Sequence, residues 1–166
     1  MVVRDDAYVA VEIKALVIDP TTDAPVVILQ ACDGRDLLPI WIGAFEAHAI
    51  AMAIEGVDPP RPLTHDLLKS VIESTGFEVA RVRVHCIEDG VYKAVIQLTS
   101  NEAESTILGI DARPSDAIAL ALRVHVPIEV SQMVLEVARI QKPTIDEAIR
   151  TILEQLDPDD LGQYEM

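Results

Sequence analysis

Pro25-Val26-Val27-Ile28-Leu29-Gln30-Ala31, the turn pair Asp33-Gly34 and Leu37-Leu38-Pro39-Ile40-Trp41-Ile42, followed by a helix-like run over 43–55 and Gly56, decide the fold class. Two short, β-rich runs joined by an Asp-Gly turn predict a hairpin, not a strand–helix–strand crossover. The second run is apolar on both faces, with Leu38, Ile40 and Ile42 against Leu37, Pro39 and Trp41. That pattern predicts a central strand. The helix behind it is predicted to stop at Gly56, the usual left-handed C-terminal cap.

Upstream, residues 8–18 alternate, with Val9, Val11, Ile13 and Ala15 on one side and Glu12 and Lys14 on the other. This is the period of a half-buried strand, closed by a turn over 19–23. Downstream, Asp58-Pro59-Pro60-Arg61-Pro62 makes a stiff connector. Thr64 is the predicted N-cap of a second helix whose apolar face is Leu67, Leu68, Val71 and Ile72, ended by Gly76. Residues 77–87 and 91–98 form a second predicted hairpin around Glu88-Asp89-Gly90, followed by a strand over about 105–111. Pro114 opens a third helix to Arg123; a short strand over 127–130 and a short helix from Ser131 complete the order. Hairpins interleaved with helices predict an α+β fold, a mixed and largely antiparallel sheet with helices packed against it.

The domain is read as residues 1–140, with an acidic tail over 141–166. In the tail, Thr144-Ile145-Asp146-Glu147 is a capping box for one helix ending near Leu156. Pro143 separates that helix from the domain, so the tail is expected to be dispensable for folding.

Ala49-Ile50-Ala51-Met52-Ala53-Ile54 is echoed by Ala117-Ile118-Ala119-Leu120-Ala121-Leu122 at an offset of 68 residues. Pro59 and Pro127 keep the same offset. Internal strand–helix duplication and the independent choice of alanine by two buried helices are both open readings. Either way, both helices should be closely approached by their neighbours.

Half of the 166 residues are hydrophobic but only 4% are aromatic, so the core must come from Val, Ile, Leu and Ala. The net charge is −15; the tail carries 7 acidic and 2 basic residues, so the excess of acid is spread along the whole chain. Such a chain is repelled by nucleic acid at long range unless a local basic group or bound cation intervenes. The amino terminus lacks the pattern of a signal peptide, and the apolar runs are far shorter than the roughly 20 residues that span a bilayer. A soluble chain of the reducing cytoplasm, without a membrane partner, is expected. Cys32 and Cys86 lack metal-type spacing and are expected to be core residues. The apolar content predicts self-association as a closed homo-oligomer.

Phosphate-binding loops, dinucleotide fingerprints, zinc-type cysteine pairs and nucleophile elbows are missing. What stands out is a set of polar groups at three helix entrances. Glu46 and His48 lie in the first helix, Arg61, Thr64, His65 and Asp66 open the second, and Arg113, Ser115 and Asp116 open the third. The last two entrances each place an arginine, a hydroxyl and a carboxylate around free backbone N–H groups. That combination can hold a phosphate directly or through a divalent cation. The same residues also serve as ordinary caps meeting the helix dipole. Glu46, on an apolar helix, needs a partner when buried: a site, or a salt bridge to one of the two arginines. His85 and His125 read as structural.

Leu38-Pro39-Ile40-Trp41-Ile42-Gly43, Glu46-Ala47 and Pro60-Arg61-Pro62-Leu63-Thr64-His65-Asp66-Leu67 resemble the bifunctional nuclease family, as do Ile110-Asp111-Ala112-Arg113-Pro114-Ser115-Asp116 and the helix behind them. The resemblance spans about residues 8–135 and implies an α+β domain that degrades DNA and RNA without marked sequence preference. The reading that follows is a metal-dependent nuclease. Asp66, Asp116 and Glu46 are the expected ligands of Mg²⁺ or Mn²⁺, His65 the general base or a further ligand, and Arg61 and Arg113 the phosphate clamps, with Thr64 and Ser115 as further substrate contacts. The rival is a non-catalytic binding or regulatory module for an anionic ligand or partner protein, which the acidic balance favours.

Overall fold

The computed structural model describes residues 7–100 and 107–140. The tail helix expected within 141–166 lies outside the described residues. Eleven elements follow in order: β1 (Tyr8–Asp19), β2 (Ala24–Ala31), β3 (Leu37–Trp41), α1 (Ala44–Glu55), α2 (Thr64–Ser74), β4 (Phe77–Glu88), β5 (Val91–Ser100), β6 (Ile107–Ala112), α3 (Pro114–Val124), β7 (Ile128–Ser131) and α4 (Gln132–Ile140). The described strands form one seven-stranded sheet in the order β3-β2-β1-β7-β4-β5-β6. Every pairing is antiparallel except β4 with β7. The fold is α+β, as the hairpin pattern implies.

Two meanders, β1-β2-β3 and β4-β5-β6, flank β7, and each runs into a helix, α1 or α3. The starts of β1 and β4, β2 and β5, and α1 and α3 lie 69, 67 and 70 residues apart. The alanine echo therefore belongs to a repeat of the whole β-meander–helix unit, which favours duplication over coincidence. In the second hairpin, Asp89 and Gly90 both have positive φ, 51° and 77°, the two left-handed positions of the tight turn that matches strand twist. Gly56 ends α1 at φ 65°, donating its N–H to the last turn.

The main core joins Val27, Leu29, Leu38, Ile40, Val82, Val84, Ile96 and Val130 of the sheet to Ile50 of α1 and to α3. In α3 the run Ala117–Ala121 is buried without a break. Its small side chains let α1 and α2 pack directly on it, while α3 itself rests on β4 and β5. Ser131 caps α4: its hydroxyl accepts from the Val134 N–H at 3.3 Å and donates to the His85 carbonyl at 3.1 Å. Val134, Leu135 and Ala138 of α4 then enter the same core.

Three expectations need correction. β3 is an edge strand, not a central one. Its second apolar face is accounted for by Leu37, which packs on a small separate cluster of Val17, Val26 and Ile28. Pro39, which cannot donate to a ladder, already pointed to an edge. The apolar face of α2 is only in part its packing face: Ile72 packs on the core, but Leu67, Leu68 and Val71 are exposed, and the buried residue is His65. Polar ties to α3 orient the helix against its hydrophobic pattern. Cys32 is exposed in the β2–β3 turn and Cys86 is half-buried, both as free thiols, so Cys32 is no core residue.

Candidate functional site

β3 and β6 are opposite edges of the sheet, yet the residues just after them meet. Arg113, the N-cap of α3, places its guanidinium 2.7 Å from Glu46 Oε1 on the first turn of α1. The sheet curls enough to bring the first turns of the two repeats together. Glu46 and Asp116 both stand at the third helical position, where a carboxylate meets the positive end of the dipole. Gly43 leaves room for the Glu46 carboxylate where it lies, since a Cβ there would overlap it.

Arg113 Nε also donates to Asp116 Oδ2 at 2.7 Å, and Asp116 Oδ1 lies 3.1 Å from His65 Nε2 at the start of α2. Four side chains from three helices thus form one chain, Glu46–Arg113–Asp116–His65. Burial pushes the Asp116 carboxyl up, but the hydrogen bonds from Arg113 and His65 outweigh it and hold it below the ordinary carboxylate range. An ionised Asp116 can only accept, so Nε2 of a neutral His65 carries the proton and the lone pair is left on Nδ1. Among the described residues Nδ1 makes no hydrogen bond, and the one buried side-chain polar atom left without a partner is His85 Nε2 instead.

Asp66, the neighbour of His65, belongs to a second arm. Its Oδ2 accepts from the Leu63 N–H at 2.9 Å and its Oδ1 from Arg123 Nε at 2.7 Å. Leu63 is the N-cap of α2 and Thr64 its first helical residue, which corrects the expected cap by one position; Asp66, not a hydroxyl, satisfies the free N–H. Burial raises Asp66, and the Leu63 N–H with the Arg123 guanidinium more than reverses it, leaving the carboxyl below its ordinary range. Arg123 is 9% exposed and donates to the carbonyls of Ala49 and Ala119 as well, tying α1, α2 and α3 together.

The structure therefore brings together Glu46, His65, Asp66, Arg113 and Asp116 of the sequence-derived set. Arg61 and Thr64 are exposed, and Arg61 joins none of the described pairs. Ser115 is buried and lines a groove of about 430 Å³ with Arg113, Trp41, Gly43 and Val91. The residue missed is Arg123. A lone cation in an otherwise apolar helix was its signal, as Glu46 was in α1.

The three carboxylates are each matched by an arginine, and among the described residues no three His, Cys, Asp or Glu side chains gather as ligands of an ion. This arrangement is not a preformed ion cage. Its chemistry is that of an oriented imidazole beside a guanidinium that is 67% exposed and so open to a solvent-borne anion.

Fold and site define an α+β protein with a helix-entrance Glu–Arg–Asp–His network. The chain belongs to the bifunctional nuclease domain family, which it matches over residues 27–143. It is 39% identical over 133 residues to an uncharacterized protein of Mycobacterium tuberculosis, covering 80% of this chain and 77% of the relative. It is 35% identical over 107 residues to bifunctional nuclease 2 of Oryza sativa subsp. japonica and 33% identical over 107 residues to bifunctional nuclease 2 of Arabidopsis thaliana. Those alignments cover 64% of this chain but only 33% and 32% of the plant proteins. All site residues named above fall inside the matched region.

Proposed function

We propose that the chain hydrolyses phosphodiester bonds of DNA and RNA, without marked sequence preference, at the Arg113–Asp116–His65 network. The observation that carries this reading is His65 Nε2 at 3.1 Å from an Asp116 held ionised, with Arg113 on the other carboxylate oxygen. Asp116 fixes the tautomer and orientation of His65, the role of the orienting acid in nucleophile-activating dyads. His65 Nδ1 takes a proton from water as the water oxygen attacks phosphorus; the bond to the leaving ribose or deoxyribose oxygen breaks and that oxygen is protonated from solvent. Arg113 lowers the cost of the extra charge on the phosphate. Glu46 holds Arg113 in place, and Asp66 with Arg123 fixes the helix that carries His65. Arg61, Thr64 and Ser115 are the further substrate contacts in this reading.

The Mg²⁺ or Mn²⁺ requirement expected from the sequence belongs to the proposal as something to measure, and no step here is routed through an ion. A divalent cation would have to compete with Arg113 for Glu46 and Asp116. Tag-free protein incubated with plasmid DNA and with RNA in Mg²⁺, Mn²⁺ or EDTA, beside Asp116→Ala, tests the reading. Cleavage by the parent and its loss in the variant are expected. Equal cleavage by both would mean that the activity does not reside at this network.

A non-catalytic binding module is the second reading. It is favoured by the net charge of −15 and by the full matching of the site carboxylates by arginines. In that case the network binds an anion at Arg113 and no cleavage occurs under any of these conditions.

A further inference from the structure

We propose that Trp41 and the groove beside Arg113 form a stacking seat for an unpaired nucleobase, so that single strands are preferred over duplexes as substrate. This deepens the hydrolytic reading and rests on it. Trp41 ends the edge strand β3 and is 44% exposed. Its ring is nevertheless fixed, because Nε1 donates to Asp19 Oδ2 at 2.9 Å. Asp19 is held in turn by the Thr21 N–H at 2.9 Å and the Thr22 hydroxyl at 2.8 Å. A half-exposed indole pinned by its polar edge offers an apolar face with little rotamer entropy left to lose.

That indole lines the same groove as Ile42, Gly43, Val91, Arg113 and Ser115. The groove, about 430 Å³, is within the roughly 300–1,000 Å³ of small-ligand sites. Arg113 belongs both to this groove and to the Asp116–His65 chain, so a phosphate on Arg113 would have its base on the Trp41 side and the imidazole on the other. Phe45, 91% exposed, stands on the first turn of α1, just beyond the groove residue Gly43. Ring plus guanidinium plus hydroxyl is the chemistry that recognises a nucleotide: aromatic faces take bases of any sequence and the cation takes the phosphate. Duplexes are disfavoured twice. Their bases must first be flipped out of the stack, and they present one charge per about 1.7 Å to a chain of net charge −15 instead of one per about 3.4 Å for a single strand.

Trp41 is the single tryptophan of the chain, so tryptophan fluorescence, excited selectively over that of the tyrosines, reports this site alone. The full-length protein in EDTA is titrated with an oligothymidylate of about eight nucleotides and with a hairpin duplex. Saturable quenching by the single strand is expected, with at least about tenfold weaker response to the duplex. By anisotropy of a labelled oligonucleotide, Trp41→Leu and Phe45→Ala should each bind about tenfold more weakly, as the loss of one stacked base implies, and Trp41→Phe should fall between. Should Trp41→Leu fail to fold, quenching of the parent protein decides. An unquenched Trp41 at saturating oligonucleotide, equal quenching by duplex, or a Trp41 buried between two copies in solution overturns the seat. Quenching by a parent protein that cleaves nothing keeps the seat and removes the hydrolytic reading; cleavage lost in Asp116→Ala without any quenching does the reverse.

Discussion

Asp66 and Asp116 look alike in the sequence, two acids behind an Arg-Pro pair, but they have different work. Asp66 closes a capping contact and neutralises the nearly buried Arg123, whereas Asp116 positions His65 and meets an exposed arginine. A simple cap lost to alanine costs about 1 kcal/mol. Asp66→Ala also strands a buried guanidinium, so we expect about 3 kcal/mol in urea unfolding, and Asp66→Ala with Arg123→Ala should cost less than the sum of the two. Polar residues at helix starts stand out in the sequence, and the structure links Glu46, Asp116 and His65 of them through Arg113, while Asp66 turns to Arg123 instead. Which arginine each would meet was not legible in the sequence. Arg123 lies 57 residues from Asp66 in the chain, and only the packing of α2 on α3 joins them. Asp19 carries a pH signature of its own. Its carboxyl is pulled down to about 2 by the Trp41 indole N–H first, then by the Thr21 N–H and the Thr22 hydroxyl. The lowered value means that this stabilisation is present above the ordinary carboxylate range near pH 4 and is lost as pH falls through about 2. Trp41 emission should therefore hold steady down to pH 3 in Asp19-containing protein whose circular dichroism is unchanged, and shift below it. A transition centred near pH 4 would show that the Trp41–Asp19 bond is absent.

At the scale of elements, strand and helix positions were readable within a residue or two, since turn chemistry and periodicity are local. Their surroundings were not. α2 has a strong amphipathic pattern, and its leucine face points to solvent because His65 and Asp66 anchor the opposite side on α3. An exposed stripe of Leu63, Leu67 and Val71 is the natural place for the self-association expected from the composition. Leu67→Lys should change monomer stability by no more than about 0.5 kcal/mol, and sedimentation of the parent should show a discrete species above 18.1 kDa that this substitution returns to monomer mass. A parent chain that is already monomeric would end the idea. The Glu46 carboxylate lies where a methyl at residue 43 would sit. Gly43→Ala forces the Glu46 carboxylate away, so Arg113 loses one of its two partners. Cleavage should fall while the melting temperature changes little, since the displaced group is the end of a flexible side chain and Arg113 keeps its bond to Asp116.

The described residues form two β-meander–helix units on either side of β7, with α2 and α4 packed on them, and the network lies where the first turns of α1, α2 and α3 converge. Glu46 in one unit and Asp116 in the other both stand third in their helices. Only one unit supplies the arginine, since the two N-caps are Gly43 and Arg113. The echo in the helices was visible in the sequence, but the convergence of opposite sheet edges was not, because curvature is a property of the assembled sheet. The net charge of −15 and the proposed hydrolysis are reconciled when recognition is short-range, through Arg113 and the groove, and not through long-range attraction. The most direct measurement is single-turnover cleavage of a labelled oligonucleotide by tag-free parent protein and Asp116→Asn, which keeps the side-chain shape but replaces the acceptor that fixes His65. The account predicts a rate at least about 100-fold lower for the variant, with both proteins folded and melting within a few degrees of each other. Undiminished cleavage by Asp116→Asn would contradict it.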